Sequence, residues 1–126
     1  MATSTIKNTQ LRKKVIWTNT NVSEMGDDQV ATGFTETPLF VVVKYRTYLN
    51  SSGGVYYTSR IYEDSSSNLV TSIRYDGSTN YIVERATSYN FSTNTLGVSQ
   101  AYRQDTYKTS VNDNKCLIPL QITAYY

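Results

Sequence analysis

The sequence predicts an all-β protein, a single-domain antiparallel β-sandwich or small barrel of about seven strands with a central meander. Ser, Thr and Asn make up about a third of the chain, and their side chains compete with the helical backbone for hydrogen bonds. Twelve tyrosines stand beside three phenylalanines and one tryptophan, and Tyr and Thr favour strands. The most apolar run, Pro38 to Tyr62, divides at Gly53-Gly54 into two strand-like halves, which is the signature of a β-hairpin.

The 126 residues are expected to form one domain, with residues 1–10 as an N-terminal extended arm and residues 11–126 as a single β domain. The arm is polar, and such segments become ordered only when a partner holds them. The formal net charge of +2 does not point to nucleic acid or to a membrane. No run is apolar enough for a signal peptide or a transmembrane helix, so we expect synthesis in the cytoplasm. Cys116 is the only cysteine, which excludes an intrachain disulfide.

Seven segments are predicted as strands because each is rich in β-branched or aromatic residues and is bounded by turn formers. They are Leu11–Thr20, Leu39–Leu49, Val55–Tyr62, Leu69–Tyr75, Tyr81–Thr87, Leu96–Lys108 and Cys116–Ala124. The second to fifth of these are expected to form one meander, whose last turn is Asp76-Gly77. Asn21–Thr37 has no clean period and is predicted as a long loop with one helical turn near Ser23–Gln29. Ser88–Thr95 and Ser110–Asn114 are predicted as a loop and a turn.

Alternation along each predicted strand assigns one face to the core. The predicted core residues are Leu11, Val15, Trp17, Leu39, Val41, Val43, Tyr45, Leu49, Val55, Tyr57, Ile61, Leu69, Ile73, Leu96, Val98, Tyr102, Ile118, Leu120, Ile122 and Ala124. Pro119 lacks a backbone donor, so the last strand should lie at a sheet edge or contain a bulge.

The opposite face of the predicted meander interleaves tyrosine with basic residues. Its candidate interaction residues are Lys44, Arg46, Tyr48, Tyr56, Arg60, Tyr62 and Arg74. A plain solvent face, stabilised by cross-strand pairs, would have the same pattern. The alternatives are a protein–protein interface, because Tyr and Arg are enriched there, a carbohydrate platform and a single-strand nucleic-acid surface. A second basic cluster, Arg12, Lys13 and Lys14, is either a solvated strand entry or a contact to an acidic partner or phosphates.

Catalysis is weakly supported, and the protein is predicted not to be an enzyme. The chain has no histidine, which excludes histidine-based triads and removes the usual metal ligand. Cys116 opens an apolar strand and is predicted to be a small buried side chain. A carboxylate pair would have to come from acids near predicted turns, namely Glu63, Asp64, Asp76 and Glu84. Asp27-Asp28 lacks the spacing of a calcium loop, and no catalytic, cofactor-binding or metal-binding residue is assigned.

A short chain that is rich in Ser, Thr, Asn and Tyr, lacks histidine and begins with a polar arm resembles the small structural proteins of virus particles, especially those of tailed bacteriophages. The resemblance implies a non-enzymatic virion component of a capsid, portal, ring or tail. Its partners would be other protein subunits, in a homo- or hetero-oligomer, with no cofactor and no membrane. The alternative is a carbohydrate-binding or receptor-binding β-sandwich module. A third hypothesis is that the protein binds single-stranded nucleic acid, which predicts that binding depends strongly on salt concentration.

Overall fold

A computed structural model describes residues 11–20, 23–48, 56–76, 79–104 and 110–126, which form nine strands and no helix. The strands are β1 (Lys13–Thr18), β2 (Asp28–Ala31), β3 (Phe40–Tyr48), β4 (Tyr57–Tyr62), β5 (Ser67–Asp76), β6 (Thr79–Asn90), β7 (Thr95–Gln104), β8 (Ser110–Asn112) and β9 (Cys116–Tyr125). The predicted arm at 1–10 and the glycine turn at 50–54 lie outside the described residues. Within the described ranges there is no helix that could cross a membrane.

The strands form two antiparallel sheets that pack face to face, which confirms the predicted all-β sandwich. The front sheet has the order β1-β9-β3-β4. The back sheet has the order β2-β7-β6-β5, and β8 pairs with β7 beyond the end of β2. Two strands were not predicted. β2 lies in the segment predicted as a loop with a helical turn, and β8 lies in the predicted turn at residues 110–114, so both of those predictions are wrong.

The predicted four-strand meander is also wrong. β3 and β4 form a hairpin in the front sheet, whereas β5 and β6 form a hairpin in the back sheet. The serine-rich connection at residues 63–66 therefore crosses from one sheet to the other. A turn signal marks where a strand ends, but it does not say which sheet the next strand joins. The continuous meander of this protein is β5-β6-β7-β8, within the back sheet.

The core lies between the sheets and confirms the predicted inward faces of β3 and β9. Val41, Val43 and Tyr45 alternate inward on β3 and are fully buried. Ile122 and Ala124 lie opposite Val43 and Val41 on β9 and are buried as well. Burying a Val or Ile side chain stabilises a fold by about 1.5–3 kcal/mol. The other wholly buried apolar side chains include Val83, Tyr89, Leu96, Leu117 and Ile118.

The predicted core faces of β4 and β5 are reversed. Tyr57, Ile61, Leu69 and Ile73 are 53–63% exposed, whereas the core positions belong to their neighbours in sequence, including Tyr62. A shift of one residue in strand register moves every side chain to the other face. Both strands carry large side chains at odd and even positions, so the sequence pattern does not choose between the faces.

Five further core predictions fail. Leu39 and Tyr102 are exposed, Leu120 is only half-buried, and Leu11 before β1 and Val15 on β1 are exposed. On β1 the register against β9 shifts between Val15 and Trp17, so Ile16 enters the core. The predicted core residues Leu49 and Val55 lie outside the described residues.

Pro119 lies on a central strand, because β9 is flanked by β1 and β3. The first alternative predicted for the last strand, a place at a sheet edge, is therefore wrong, and the second alternative, a bulge, is confirmed. Lys44 pairs with Gln121 and Tyr45 pairs with Pro119, so Leu120 is the extra residue on β9. A bulge locally interrupts the ladder of hydrogen bonds, which lets a residue without an N–H occupy an interior strand.

Candidate functional site

The predicted interaction residues do not form one surface. Lys44 and Arg46 point outward from β3, beside the outward residues of β4. Lys44 lies opposite Ser59 and Arg46 opposite Tyr57, which places Tyr57 rather than its neighbours on this face. Tyr56 and Arg60 are exposed on the opposite side of the edge strand. Tyr48 is half-buried, and Tyr62 and Arg74 are buried. The basic cluster lies apart from all of these, exposed on or beside β1: Arg12, Lys13 and Lys14.

Tyr62 belongs to a chain of hydroxyl groups that crosses the core, so its predicted outward position is wrong. The Tyr45 and Tyr62 hydroxyl oxygens are 2.6 Å apart, and that of Tyr62 is 2.5 Å from Thr87 Oγ1. The Thr87 hydroxyl donates to the main-chain oxygen of Asn68 at 3.2 Å. Since each hydroxyl has one proton, Tyr62 donates to Thr87 and Tyr45 donates to Tyr62. The chain joins β3 and β4 of the front sheet to β5 and β6 of the back sheet.

Arg74 is buried at one end of the sandwich, so its predicted outward position is also wrong. Its Nη1 donates to Asp113 Oδ2 at 2.6 Å, and its Cζ lies 3.4 Å from the centroid of the Tyr48 ring. Arg103 Nη1 is 3.7 Å from the same carboxylate oxygen, and Arg103 also approaches the Tyr81 ring at 5.1 Å. The carboxylate and the aromatic faces hold these two guanidinium groups in place, which positions them for structure rather than for an external ligand.

Among the residues that the structure describes, Arg85 has the largest fully buried side chain, and sequence reasoning missed it. Its Nη1 donates to Ser99 O at 2.7 Å and Gly26 O at 3.3 Å, and its Nη2 donates to Met25 O at 2.7 Å and Cys116 O at 3.0 Å. Burial lowers the pKa of Arg85 to about 10. The only sequence signal is that Arg85 occupies an inward position between Val83 and Thr87 on an otherwise alternating strand.

A pocket of about 420 Å³ lies where β1 begins and β9 ends. It brings together the predicted basic cluster and two aromatic rings. Lys14 Nζ lies 4.7 Å from the Phe34 ring centroid, and Arg12 Cζ lies 5.6 Å from that of Tyr126. Arg12 also pairs with Glu36 at 3.0 Å, with both side chains exposed. The buried Tyr126 hydroxyl has no hydrogen-bond partner among the described residues.

The outward surface of the front sheet, called here the front face, is basic. It is built from alternate residues of the four strands, including Lys13, Lys44 and Arg46. These four strands contain no Asp or Glu. Exposed Val15 and Ile61 and a stacked Phe40–Tyr125 pair, with ring centroids 4.6 Å apart, also lie on strands of this sheet. The front face therefore combines positive charge with apolar and aromatic surface.

The outward surface of the back sheet, called here the back face, is apolar and carries one acid. Ile73 and Ile82 pair directly across β5 and β6, and both are about half exposed or more. The flanking exposed side chains are Leu69, Tyr75 and Tyr102. Glu84 lies between Thr71 and Tyr102 and is the one charged residue among the outward positions of the described strands of this sheet. It forms no ion pair with any described residue.

The groups that could support catalysis are engaged or dispersed. Cys116 is fully buried, and burial raises the pKa of its thiol to about 12, which disfavours the nucleophilic thiolate. The Ser66 side chain and main-chain amide donate to the exposed Asp64 carboxylate and hold its pKa below the usual value. Within the part of the chain that the structure describes, no three Cys, Asp or Glu side chains gather as a metal site would require.

Comparison with protein-family models, with characterised proteins and with solved structures finds no match for this chain.

Proposed function

We propose that this protein is a non-enzymatic assembly protein that works by binding further copies of itself through its sheet faces. The back face is the single observation that carries the proposal. Contiguous exposed apolar surface is rare on monomers and marks interaction sites. The cores of interfaces are depleted in charged residues and enriched in aromatic ones, and the back face carries five large exposed apolar or aromatic side chains and one acid.

The setting that we propose is a virion, as a component of a bacteriophage capsid, portal, ring or tail. The support for this finer proposal is the resemblance in composition, together with a two-sheet scaffold that displays interaction surface on both outer sides. Such a protein needs rigid strands to hold its contact residues, and it needs no cofactor. The ligand is another subunit.

Light scattering across a concentration series tests the proposal, with Ile73→Glu as the disrupting variant. Ile73 is exposed, so the substitution leaves the core intact while it adds charge at the centre of the back face. We expect the wild type to form a defined oligomer, or to show a molar mass that rises with concentration. We expect the molar mass of Ile73→Glu to fall towards that of the monomer. Thr93→Glu, in the exposed turn after β6, is the matched control. A wild type that stays monomeric at every concentration overturns the proposal.

A carbohydrate-binding module is the second candidate, and the pocket at Tyr126 favours it. Pockets of roughly 300–1,000 Å³ accommodate small ligands. Phe34 and Tyr126 offer rings for the apolar face of a sugar, Glu36 accepts from sugar hydroxyls, and the cations favour an acidic sugar. A glycan array that compares the wild type with Tyr126→Ala, which removes the ring, tests this candidate. We expect hits among acidic glycans that the variant loses and that Tyr57→Ala, on the front face, retains. An array with no hits excludes it.

A further inference from the structure

The two outer faces of this protein carry opposite charge, and we propose that successive copies stack front to back, with the front face of one copy on the back face of the next. The inference rests on the proposed self-assembly and names its geometry. It assigns the occupant of each face, which is a second copy of this chain.

The charge difference arises from where the arginines point. The back sheet contains three, Arg74, Arg85 and Arg103, and each occupies an inward position on its strand. Arg74 and Arg103 meet Asp113, and Arg85 meets main-chain carbonyl oxygens. Their charge is therefore withdrawn from the back face, which leaves Glu84 there alone.

The front sheet has the opposite arrangement. Lys13, Lys44 and Arg46 take outward positions on β1 and β3, whereas Lys14 and Arg60 alternate to the other side, and the four strands of this sheet contain no Asp or Glu. Lys44 lies near the middle of this face, with Nζ 4.3 Å from the centroid of the Tyr57 ring. That aromatic contact leaves its charge available, because the ring does not neutralise it.

Charge selects one of three possible face pairings. Two front faces in contact would bring basic residues of one copy, such as Lys13 and Lys44, against the basic face of the other. Two back faces would bury both Glu84 carboxylates in apolar surface without a basic partner, and an unpaired buried carboxylate is costly. Only the front-to-back pairing joins opposite charges, and like-charge juxtaposition suppresses the wrong arrangements.

The front face has the size of a small interface. Its central strands have nine and ten residues and its outer strands six each, so the sheet covers about 500 Å² in projection. Accessible area exceeds projected area because side chains protrude, and small specific interfaces bury roughly 600 Å² on each partner. Because the two surfaces in contact differ, the arrangement is heterologous, and it generates a ring if the rotation closes or a filament if it does not.

Paired charge reversals in the full-length protein test the stacking. Glu84→Lys makes the back face repel the front face, and Lys44→Glu does the same from the other side. We expect each single variant to weaken association about tenfold. The double variant carries both reversals in one chain, so every front-to-back contact regains opposite charges and association returns to within about twofold of the wild type. Glu63→Lys, on the exposed connection at residues 63–66, is the matched control and should leave association unchanged.

The outcomes separate the two proposals. If the wild type associates but the single reversals have no effect, or the double variant is no better than the single ones, the stacking is wrong and the self-assembly stands. A wild type that is monomeric at every concentration overturns both. Circular dichroism of each variant confirms that the fold is kept, which is expected because both changed residues are on outer faces.

Discussion

Arg85 Nη2 donates a hydrogen bond of 2.7 Å to the main-chain oxygen of Met25, a residue 60 positions earlier in the chain. The same guanidinium bonds Gly26, Ser99 and Cys116, so one buried side chain joins the segment before β2 to β7 and to the start of β9. Buried carbonyl groups are costly when unpaired. Arg85 therefore satisfies main-chain carbonyl oxygens from three separate segments of the chain.

Replacing Arg85 by Met should destabilise the protein strongly. The variant removes a buried charge, which is favourable, but it leaves four main-chain carbonyl oxygens without this donor, and each unsatisfied buried group costs about 1–3 kcal/mol. We expect a net loss of about 3 kcal/mol in the free energy of unfolding, measured by urea denaturation. Arg60→Met is the control, because Arg60 is exposed and donates to the Asn68 side chain at 2.6 Å, and it should cost no more than about 0.5 kcal/mol. Equal midpoints for the two variants would refute the role of Arg85.

Replacing Tyr62 by Phe should break the hydroxyl chain across the core. The ring remains, but the Tyr45 hydroxyl loses its acceptor and the Thr87 hydroxyl oxygen loses its donor. We expect a loss of about 1–2 kcal/mol in the free energy of unfolding. Tyr57→Phe makes the same chemical change on the exposed side of β4 and should be nearly neutral. Similar losses for both variants would mean that the buried chain contributes no specific stability.

Alkaline pH should destabilise the fold from about pH 10 upwards. Burial raises the pKa of Tyr45, Tyr62 and Tyr89 above the ordinary value of 10.0, so the folded state holds protons that the unfolded state releases. This stabilisation is complete below pH 10 and is lost as the pH rises, by up to about 1.4 kcal/mol for each tyrosine and pH unit.

Arg85 acts in the opposite sense between its lowered pKa of about 10 and the ordinary 12.5, because there the unfolded state binds the additional proton. Three tyrosines outweigh one arginine, so the net stability should fall. Thermal unfolding followed by circular dichroism, together with tyrosinate absorbance, measures both effects. A melting temperature that stays constant from about pH 9 to about pH 11 would contradict the expected loss.

The Cys116 thiol should be unreactive in the native protein. It is fully buried, and its raised pKa keeps it protonated at neutral pH. We expect a disulfide reagent to modify it at least about 100-fold more slowly than it does in denaturant, because reaction requires opening of β9. Ser59→Cys adds an exposed thiol on β4 as an internal control and should give one rapidly reacting equivalent. Rapid modification of wild-type Cys116 would show that the start of β9 opens readily.

The sequence by itself determined the all-β class, the positions of most strands, the inward residues of β3 and β9, and the bulge at Pro119. These features are local. Strand propensity and two-residue alternation act within one strand, and a missing N–H constrains its own neighbourhood. The basic cluster Arg12–Lys14 was also visible as a local charge run, although its aromatic neighbours Phe34 and Tyr126 were not.

Only the tertiary structure decided which face of β4 and β5 meets the core, which sheet each hairpin joins, and which cations remain outside. Arg46, Arg60 and Arg74 recur every fourteen residues, yet one points outward, one lies on an edge and one is buried. Register depends on pairing between distant strands, and burial of a charge depends on acceptors that arrive from elsewhere, such as Asp113 for Arg74. The division into a basic front face and an apolar, acidic back face follows from those long-range pairings.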